Sequence, residues 1–142
     1  MNAYSQLKDR QEKEFNEFPM FYAFNDKQFG EGMEKFGLSS ADTDKIYSAG
    51  AEGYYLRTDS QKLKDLLNRH EKEMSDAIKA DTTGDGFIFD MFDYELSNHE
   101  YCYTGDTEDT LDALGLSMEE IEKSPALSAG LKNAIISQLS EN

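Results

Sequence analysis

The residues best suited to metal chemistry lie in the stretch 81–88, Asp-Thr-Thr-Gly-Asp-Gly-Phe-Ile. Its Asp, Asp, Gly and Ile stand at the first, fifth, sixth and eighth places of a calcium-binding EF-hand loop. The bidentate Glu that should complete such a loop is replaced by Phe92, and Asp90 and Asp93 fall at the wrong offset. Because calcium takes roughly six to eight oxygen ligands, the missing Glu favours a glycine-containing turn between two helices. We therefore expect no metal site and no cofactor.

A cysteine and a histidine offer the other candidate chemistry. His99 and Cys102 are three residues apart, so a helix would place them side by side, and a Cys–His pair can act as a nucleophile. No oxyanion-donor motif and no third partner accompany them, and cysteine is among the most buried residue types. We interpret Cys102 as a packed thiol and His70 as a packed histidine. The sequence predicts no catalytic residue and a protein that is not an enzyme.

The charge distribution is the most unusual property of the sequence. The chain has 29 acidic and 14 basic side chains and a net charge of −15. Residues 80–122 contain 13 acidic residues and no Lys or Arg, whereas residues 1–79 contain 15 acidic and 12 basic residues. Such a surface repels nucleic acids and anionic membranes and attracts basic partners. Apolar residues are interspersed throughout 80–122, so we expect this stretch to fold and to carry its acidic residues on the surface.

One predicted helix organises part of this charge. At 100° per residue, residues 87–101 place Asp90, Asp93 and Glu100 opposite an apolar side that contains Phe92 and Leu96. Carboxylates three or four residues apart have Cβ atoms about 5–6 Å apart, near the separation of successive phosphates. A folded acidic face of this kind can occupy a cationic groove that binds nucleic acid. The residues that we predict to bind a partner are Asp90, Asp93, Tyr94, Glu100, Tyr101, Asp106, Glu108, Asp109, Asp112, Glu119 and Glu120.

Periodicity and capping residues predict an α+β fold that is predominantly helical, with about five to six helices and a small two- or three-stranded β element. Helical spacing is strongest in 61–80, 87–101 and 125–139, and a buried stripe in the last of these comprises Leu127, Leu131, Ile135 and Leu139. Asn25 and Ser117 are predicted N-caps. Other helices are expected at 3–17, 26–36 and after Thr107, a strand at 53–57, extended chain at 21–24 and 101–104, and a weak helix or loop at 40–48.

The length of the chain and the absence of a Gly/Ser-rich linker predict one acidic globular domain over residues 1–142. Residues 1–18 are expected as an N-terminal helix that is frayed at its start. No apolar run approaches the length of a membrane span, and the polar N-terminus lacks the regions of a signal peptide. The single cysteine excludes an internal disulfide and fits a reducing compartment. The expected location is the cytoplasm.

A resemblance adds a biological context. The residues that carry it are Pro19-Met20-Phe21-Tyr22-Ala23-Phe24, Phe29, Gly32-Met33, Phe36-Gly37-Leu38, Asn98-His99-Glu100-Tyr101-Cys102 and Leu111-Asp112-Ala113-Leu114-Gly115-Leu116. In this pattern, which spans most of the chain, the protein resembles short proteins of unknown function carried by phages and conjugative elements of gut-type bacteria. Small acidic proteins on such elements include anti-CRISPR and anti-restriction inhibitors, several of which mimic DNA. The resemblance implies no catalytic residue.

Two hypotheses of different classes follow. The first is a non-enzymatic inhibitor that mimics nucleic-acid phosphates and binds a basic nucleic-acid-binding protein, such as a CRISPR effector or a restriction enzyme. The second is a protein-binding adaptor or regulatory domain of a mobile element, whose acidic surface only confers solubility. Neither involves direct binding of nucleic acid or a membrane, and each is compatible with a monomer or a homodimer. A calcium-binding protein or a thiol enzyme is a third alternative, disfavoured by Phe92 and by the missing catalytic partners.

Overall fold

The computed structural model describes residues 2–140, which form a mostly helical α+β structure with 69% helix. This confirms the predicted fold class. Six of its eight α-helices have seven or more residues within this range. The helices are α1 (Ala3–Asn16), α2 (Asp26–Lys35), α3 (Ser60–Ala80), α4 (Phe87–Asn98), α5 (Tyr101–Thr104), α6 (Glu108–Leu114), α7 (Met118–Lys123) and α8 (Pro125–Ser140), and the strands are β1 (Phe21–Tyr22), β2 (Ile46–Gly50) and β3 (Gly53–Leu56).

The described residues group into two compact units. The terminal unit combines residues 2–10 with residues 72–140, and the central unit comprises residues 11–71. The expectation of a single domain over 1–142 stays a prediction, and Met1, part of the helix expected at 1–18, lies outside the described residues. No helix within residues 2–140 has the length and apolar character needed to cross a membrane.

The core of the terminal unit forms around α4 and α8. Ile88, Phe92 and Leu96 on α4 are almost completely buried, together with Leu131 and Ala134 on α8. The two helices approach closely because α8 has a glycine at the crossing: a Cβ on Gly130 would lie 2.4 Å from Cγ2 of Ile88. Gly130 on α8 thus allows α4 to pack closely against it.

The central unit has a smaller core beneath a three-stranded antiparallel sheet in the order β1-β3-β2. Phe21, Met33 and Ile46 are buried there, and the Phe21 ring packs on α2 at a glycine. A Cβ on Gly32 would lie 2.1 Å from Cδ1 of Phe21, so the helix can pack at this distance only without a side chain. The Asn25 N-cap is confirmed, because its side chain accepts a hydrogen bond from the Gln28 amide at 2.9 Å.

The expectation of a weak helix or loop at 40–48 holds up to Lys45, where Thr43–Lys45 form a short helical turn, but strand β2 corrects it from Ile46 onward. Residues 46–50 pair with β3 across a two-residue turn, Ala51-Glu52, whose φ angles are +48° and +63°. Positive φ at both central positions is the signature of a type I′ hairpin turn, which usually contains Asn-Gly or Asp-Gly. Because Ala-Glu does not have this signature, the hairpin is recognisable only from its pairing with β3.

The segment after α4 also differs from the sequence prediction. The helix expected to continue to Tyr101 ends at Asn98, and residues 101–104, expected to be extended, form a helical turn. Glu100 lies between them with φ +56°, in the left-handed region, and turns the chain so that Tyr101 packs against the core. In α8, Leu139 is 58% exposed and is not part of the buried stripe; Gln138 is buried instead.

Candidate acidic partner-binding surface

Asp90 and Asp93, the first two predicted contact residues, are half-buried on α4, whereas Phe92 is completely buried. Burial, followed by the charges of Asp93 and Asp81, raises the pKa of Asp90. Asp93 accepts a hydrogen bond from Nε2 of Gln138 at 2.9 Å through Oδ1, so its carboxylate bridges α4 and α8. Both carboxylates are partly buried, and that of Asp93 is also hydrogen-bonded, so α4 exposes less of its negative charge to a partner.

Glu95 contradicts the expectation that the acidic residues of 80–122 all lie on the surface. Its side chain is 4% exposed and accepts hydrogen bonds from the Tyr4 hydroxyl and from Nζ of Lys8, the latter at 3.0 Å. Burial, followed by the hydrogen bond and charge of Glu95, raises the pKa of Tyr4 far above its usual range. Lys8 also lies over the ring of Tyr94, 4.9 Å from its centroid. Tyr94, a predicted contact residue, therefore packs against the Lys8–Glu95 ion pair while remaining 37% exposed.

The remaining predicted acidic residues occupy exposed positions from the end of α4 to α7. We define the acidic surface as the exposed carboxylates of this segment, namely Glu100, Asp106, Glu108, Asp109, Asp112, Glu119, Glu120 and Glu122. Within residues 2–140, Glu119 is the one member in an ion pair, with Lys123 at 2.9 Å. The predicted Ser117 N-cap is confirmed, because the Glu120 amide donates to Oγ of Ser117 at 3.1 Å. Most of this charge is thus available to a partner.

The aromatic residues beside the acidic surface differ in exposure. Tyr101, a predicted contact residue, is half-buried and packs against the core of the terminal unit. Tyr103, two residues later, is 84% exposed and was not singled out by the sequence analysis. The expectation of an extended chain at 101–104 would have put both rings on the same side. The helical turn of α5 separates them, and no local pattern in the sequence indicates that Tyr103 is the exposed one.

The calcium-like loop has an internal structural role. The Asp81 carboxylate accepts backbone hydrogen bonds from Gly84 at 2.8 Å, Gly86 at 3.1 Å and Ile88 at 3.0 Å. Burial acts to raise the pKa of Asp81, but these hydrogen bonds together with one from Thr83 outweigh it and lower the pKa. The carboxylate therefore caps the first turn of α4, which has glycine at its N-cap position. This geometry is that of the helix-to-helix turn that the sequence favoured.

The residues considered for thiol chemistry do not lie on one continuous helix. His99 is the C-cap of α4, whereas Cys102 belongs to α5, after the left-handed Glu100. Both side chains are half-buried, and no hydrogen bond joins them in the described part of the chain. In the central unit, Nε2 of His70 is buried 3.8 Å from Oε2 of Glu14. His70 is a packed residue, as the sequence indicated.

Fold and surface together define a small helical α+β protein with one strongly acidic segment and a separate, less acidic unit around a sheet. The chain belongs to a family of unknown function, DUF7659, whose sequence model matches residues 3–137. Comparison with curated proteins and with solved structures gave no significant match. Membership in this family assigns no activity to the chain.

Proposed function

We propose that this protein is a non-enzymatic, cytoplasmic inhibitor that places its acidic surface in the cationic, nucleic-acid-binding groove of a partner. A defence nuclease of the CRISPR-effector or restriction type is the partner class that the resemblance to mobile-element proteins implies. The observation that supports this proposal is the exposure of the carboxylates between Glu100 and Glu122, most of which have no ion-pair partner in residues 2–140. Carboxylates on short consecutive helices offer a rigid array of negative charge to such a groove.

The contact residues are best placed on α6 and α7 and at Glu100, with α4 in a supporting role. Asp90 and Asp93 are half-buried, and Asp93 is hydrogen-bonded to Gln138. Glu108, Asp109 and Asp112 are exposed on the single short helix α6, which begins at Glu108. Because the backbone of a folded helix is already ordered, its charged side chains lose little conformational freedom on binding, which favours association.

The proposal is tested by removing three of these charges. The variant Glu108→Gln, Asp109→Asn, Asp112→Asn should stay folded, because exposed substitutions usually change stability within about 0.5 kcal/mol. A matched control, Glu12→Gln, Glu34→Gln, Asp44→Asn, removes the same charge from exposed positions of the central unit. DNA cleavage by purified restriction endonucleases and RNA-guided nucleases is measured with increasing amounts of each protein at two salt concentrations.

We expect the native protein and the control to inhibit one of these nucleases, with inhibition weakening as salt rises, since exposed charges are screened over about 10 Å at 0.1 M. The α6 variant should inhibit it several-fold less well, mainly through slower association. Equal inhibition by all three proteins at physiological salt would refute charge mimicry.

An adaptor function has one specific observation in its favour, the 84% exposure of Tyr103. Exposed tyrosines are frequent energetic centres of protein interfaces. In that case Tyr103→Ser would abolish partner binding, whereas the α6 charge variant would bind as the native protein does and with little dependence on salt. The two variants therefore separate the two functions.

A further inference from the structure

We propose that the central unit self-associates through the free edge of β1, so that two copies of the chain form a symmetric dimer. The surface concerned, the β1 patch, comprises Tyr22, Phe24, Glu31 and Lys35. These residues line an open cavity of about 400 Å³ together with Met20, Phe21, Gln28 and Gly32. This inference does not rest on the acidic surface, which belongs to the terminal unit.

The aromatic residues of the patch are exposed in a way that local packing does not explain. Phe24 is 75% exposed and Tyr22 is 52% exposed. Phe24 directly precedes the N-cap of α2, where an apolar side chain often packs against the fourth helical residue, here Phe29. Phe29 instead packs edge-on against Phe21 and Tyr54, at centroid distances of 5.8 and 5.3 Å. Phe24 is therefore left without that internal contact.

The backbone of β1 presents a strand edge. The strand lies at one end of the sheet, and the Ala23 amide donates to the Glu52 carbonyl at 3.0 Å, towards β3. Because successive residues of a strand point their N–H and C=O groups to opposite sides, those of Tyr22 face away from β3. The opposite edge strand, β2, carries a bulge between Ser48 and Gly50, a device that discourages edge pairing. Residues 20–24 contain no bulge, no charged side chain and no proline.

The charges of the patch identify a second copy as the occupant. Glu31 and Lys35 are exposed on adjacent turns of α2, and no ion pair with another described residue occupies either of them. Around a two-fold axis, Glu31 of each copy meets Lys35 of the other, so the same patch is complementary to itself. An antiparallel strand edge is likewise self-complementary, since the two Tyr22 residues can exchange N–H···O bonds.

The distribution of net charge is compatible with a dimer at this place. Residues 11–71 contain 12 acidic and 8 basic side chains, a net charge of −4, against −15 for the whole chain. Two copies that meet through the central unit therefore bring the least acidic parts of the protein together. Contact through the acidic surface would instead oppose eight exposed carboxyl groups on each side.

Sedimentation equilibrium of the full chain at physiological salt, from micromolar to millimolar concentration, tests the inference. The native protein should approach twice the monomer mass as concentration rises. Phe24→Ser should remain monomeric while keeping its circular dichroism spectrum. Glu31→Lys and Lys35→Glu each convert the two attractive pairs into repulsive ones, and each should raise the dimer dissociation constant roughly tenfold. Glu34→Lys, an exposed change on α2 outside the patch, is the matched control and should dimerise as the native protein does.

Mixing supplies the decisive measurement. Glu31→Lys and Lys35→Glu proteins, each impaired alone, should form a mixed dimer when combined, because one copy then carries two positive and the other two negative charges at the patch. A native protein that stays monomeric to millimolar concentration overturns the inference. A dimer that is unaffected by Phe24→Ser and by both charge reversals, or two reversed variants that do not associate with each other, also overturns it.

Discussion

Replacing Glu95 with alanine should lower the free energy of unfolding by about 3–5 kcal/mol. Glu95 is buried and accepts from the Tyr4 hydroxyl, which would be left without its partner at a cost of about 1–3 kcal/mol. Lys8 would lose its ion pair, but its side chain is 34% exposed and can reach solvent, so that loss is limited to about 1 kcal/mol. The space vacated by the carboxylate adds a cavity term of roughly 1 kcal/mol.

Companion variants divide this cost between its causes. Glu95→Gln keeps the shape and an acceptor for Tyr4 while removing the charge, so its cost should be about 1 kcal/mol. Tyr4→Phe keeps the ring packing and removes one hydrogen bond to a charged group, for about 1.5–3 kcal/mol. A double-mutant cycle between Tyr4→Phe and Glu95→Ala should give a coupling of at least about 1 kcal/mol, because the two changes remove the same contact.

Urea unfolding followed by far-ultraviolet circular dichroism is the appropriate assay, since the chain has no tryptophan. The midpoint should fall with an unchanged slope if the native fold persists. A loss below about 0.5 kcal/mol for Glu95→Ala, the range of ordinary surface substitutions, would refute the reasoning that Glu95 is a buried and paired carboxylate.

Three further predictions concern the loop before α4 and the acidic side of that helix. Asp81→Asn should destabilise the protein at neutral pH, because folding lowers the pKa of Asp81. The difference in stability between the variant and the native protein should shrink as pH falls below about 4, which thermal melts across that range can measure. Asp90→Asn should stabilise slightly, within about 0.5 kcal/mol, since the raised pKa of Asp90 shows that its charge is disfavoured; a loss of stability at pH 7 would contradict this, and the gain should vanish in acid. Gly84→Ala should cost roughly 3 kcal/mol or more in urea unfolding, because φ is +85° and a Cβ would lie 2.0 Å from the Ala126 carbonyl oxygen; a mild effect would exclude this backbone contact.

The features that could be predicted from the sequence are those determined by near neighbours in the chain. Helices α3, α4 and α8 follow from apolar residues at helical spacing. The N-caps Asn25 and Ser117 act on amides three residues away, so a short window contains all of their chemistry. The loop at Asp81 was likewise recognisable as a turn, because the missing ligand at Phe92 lies within the same motif.

The features that sequence reasoning missed depend on distant partners. Burial of Glu95 requires Tyr4 and Lys8, which are 91 and 87 residues away along the chain. Strand β2 exists through its pairing with β3, and its turn residues Ala51-Glu52 have no composition typical of a hairpin. On the acidic surface, the exposure of Asp106 to Glu122 agrees with their charge. The partial engagement of Asp93 depends on Gln138, a residue from the last turns of α8.

The assignment of residues 2–10 to the terminal unit has a consequence for the order of events during synthesis. Residues 11–71 leave the ribosome together and contain all of the central core, so this unit can form while the chain is still growing. Tyr4 leaves first but must wait for Glu95 and for α8 before its own core is complete. Until then Tyr4 lacks the residues that bury it in the folded protein. We expect large tags at the N-terminus to impair folding more than equally large tags placed in the loops of the central unit.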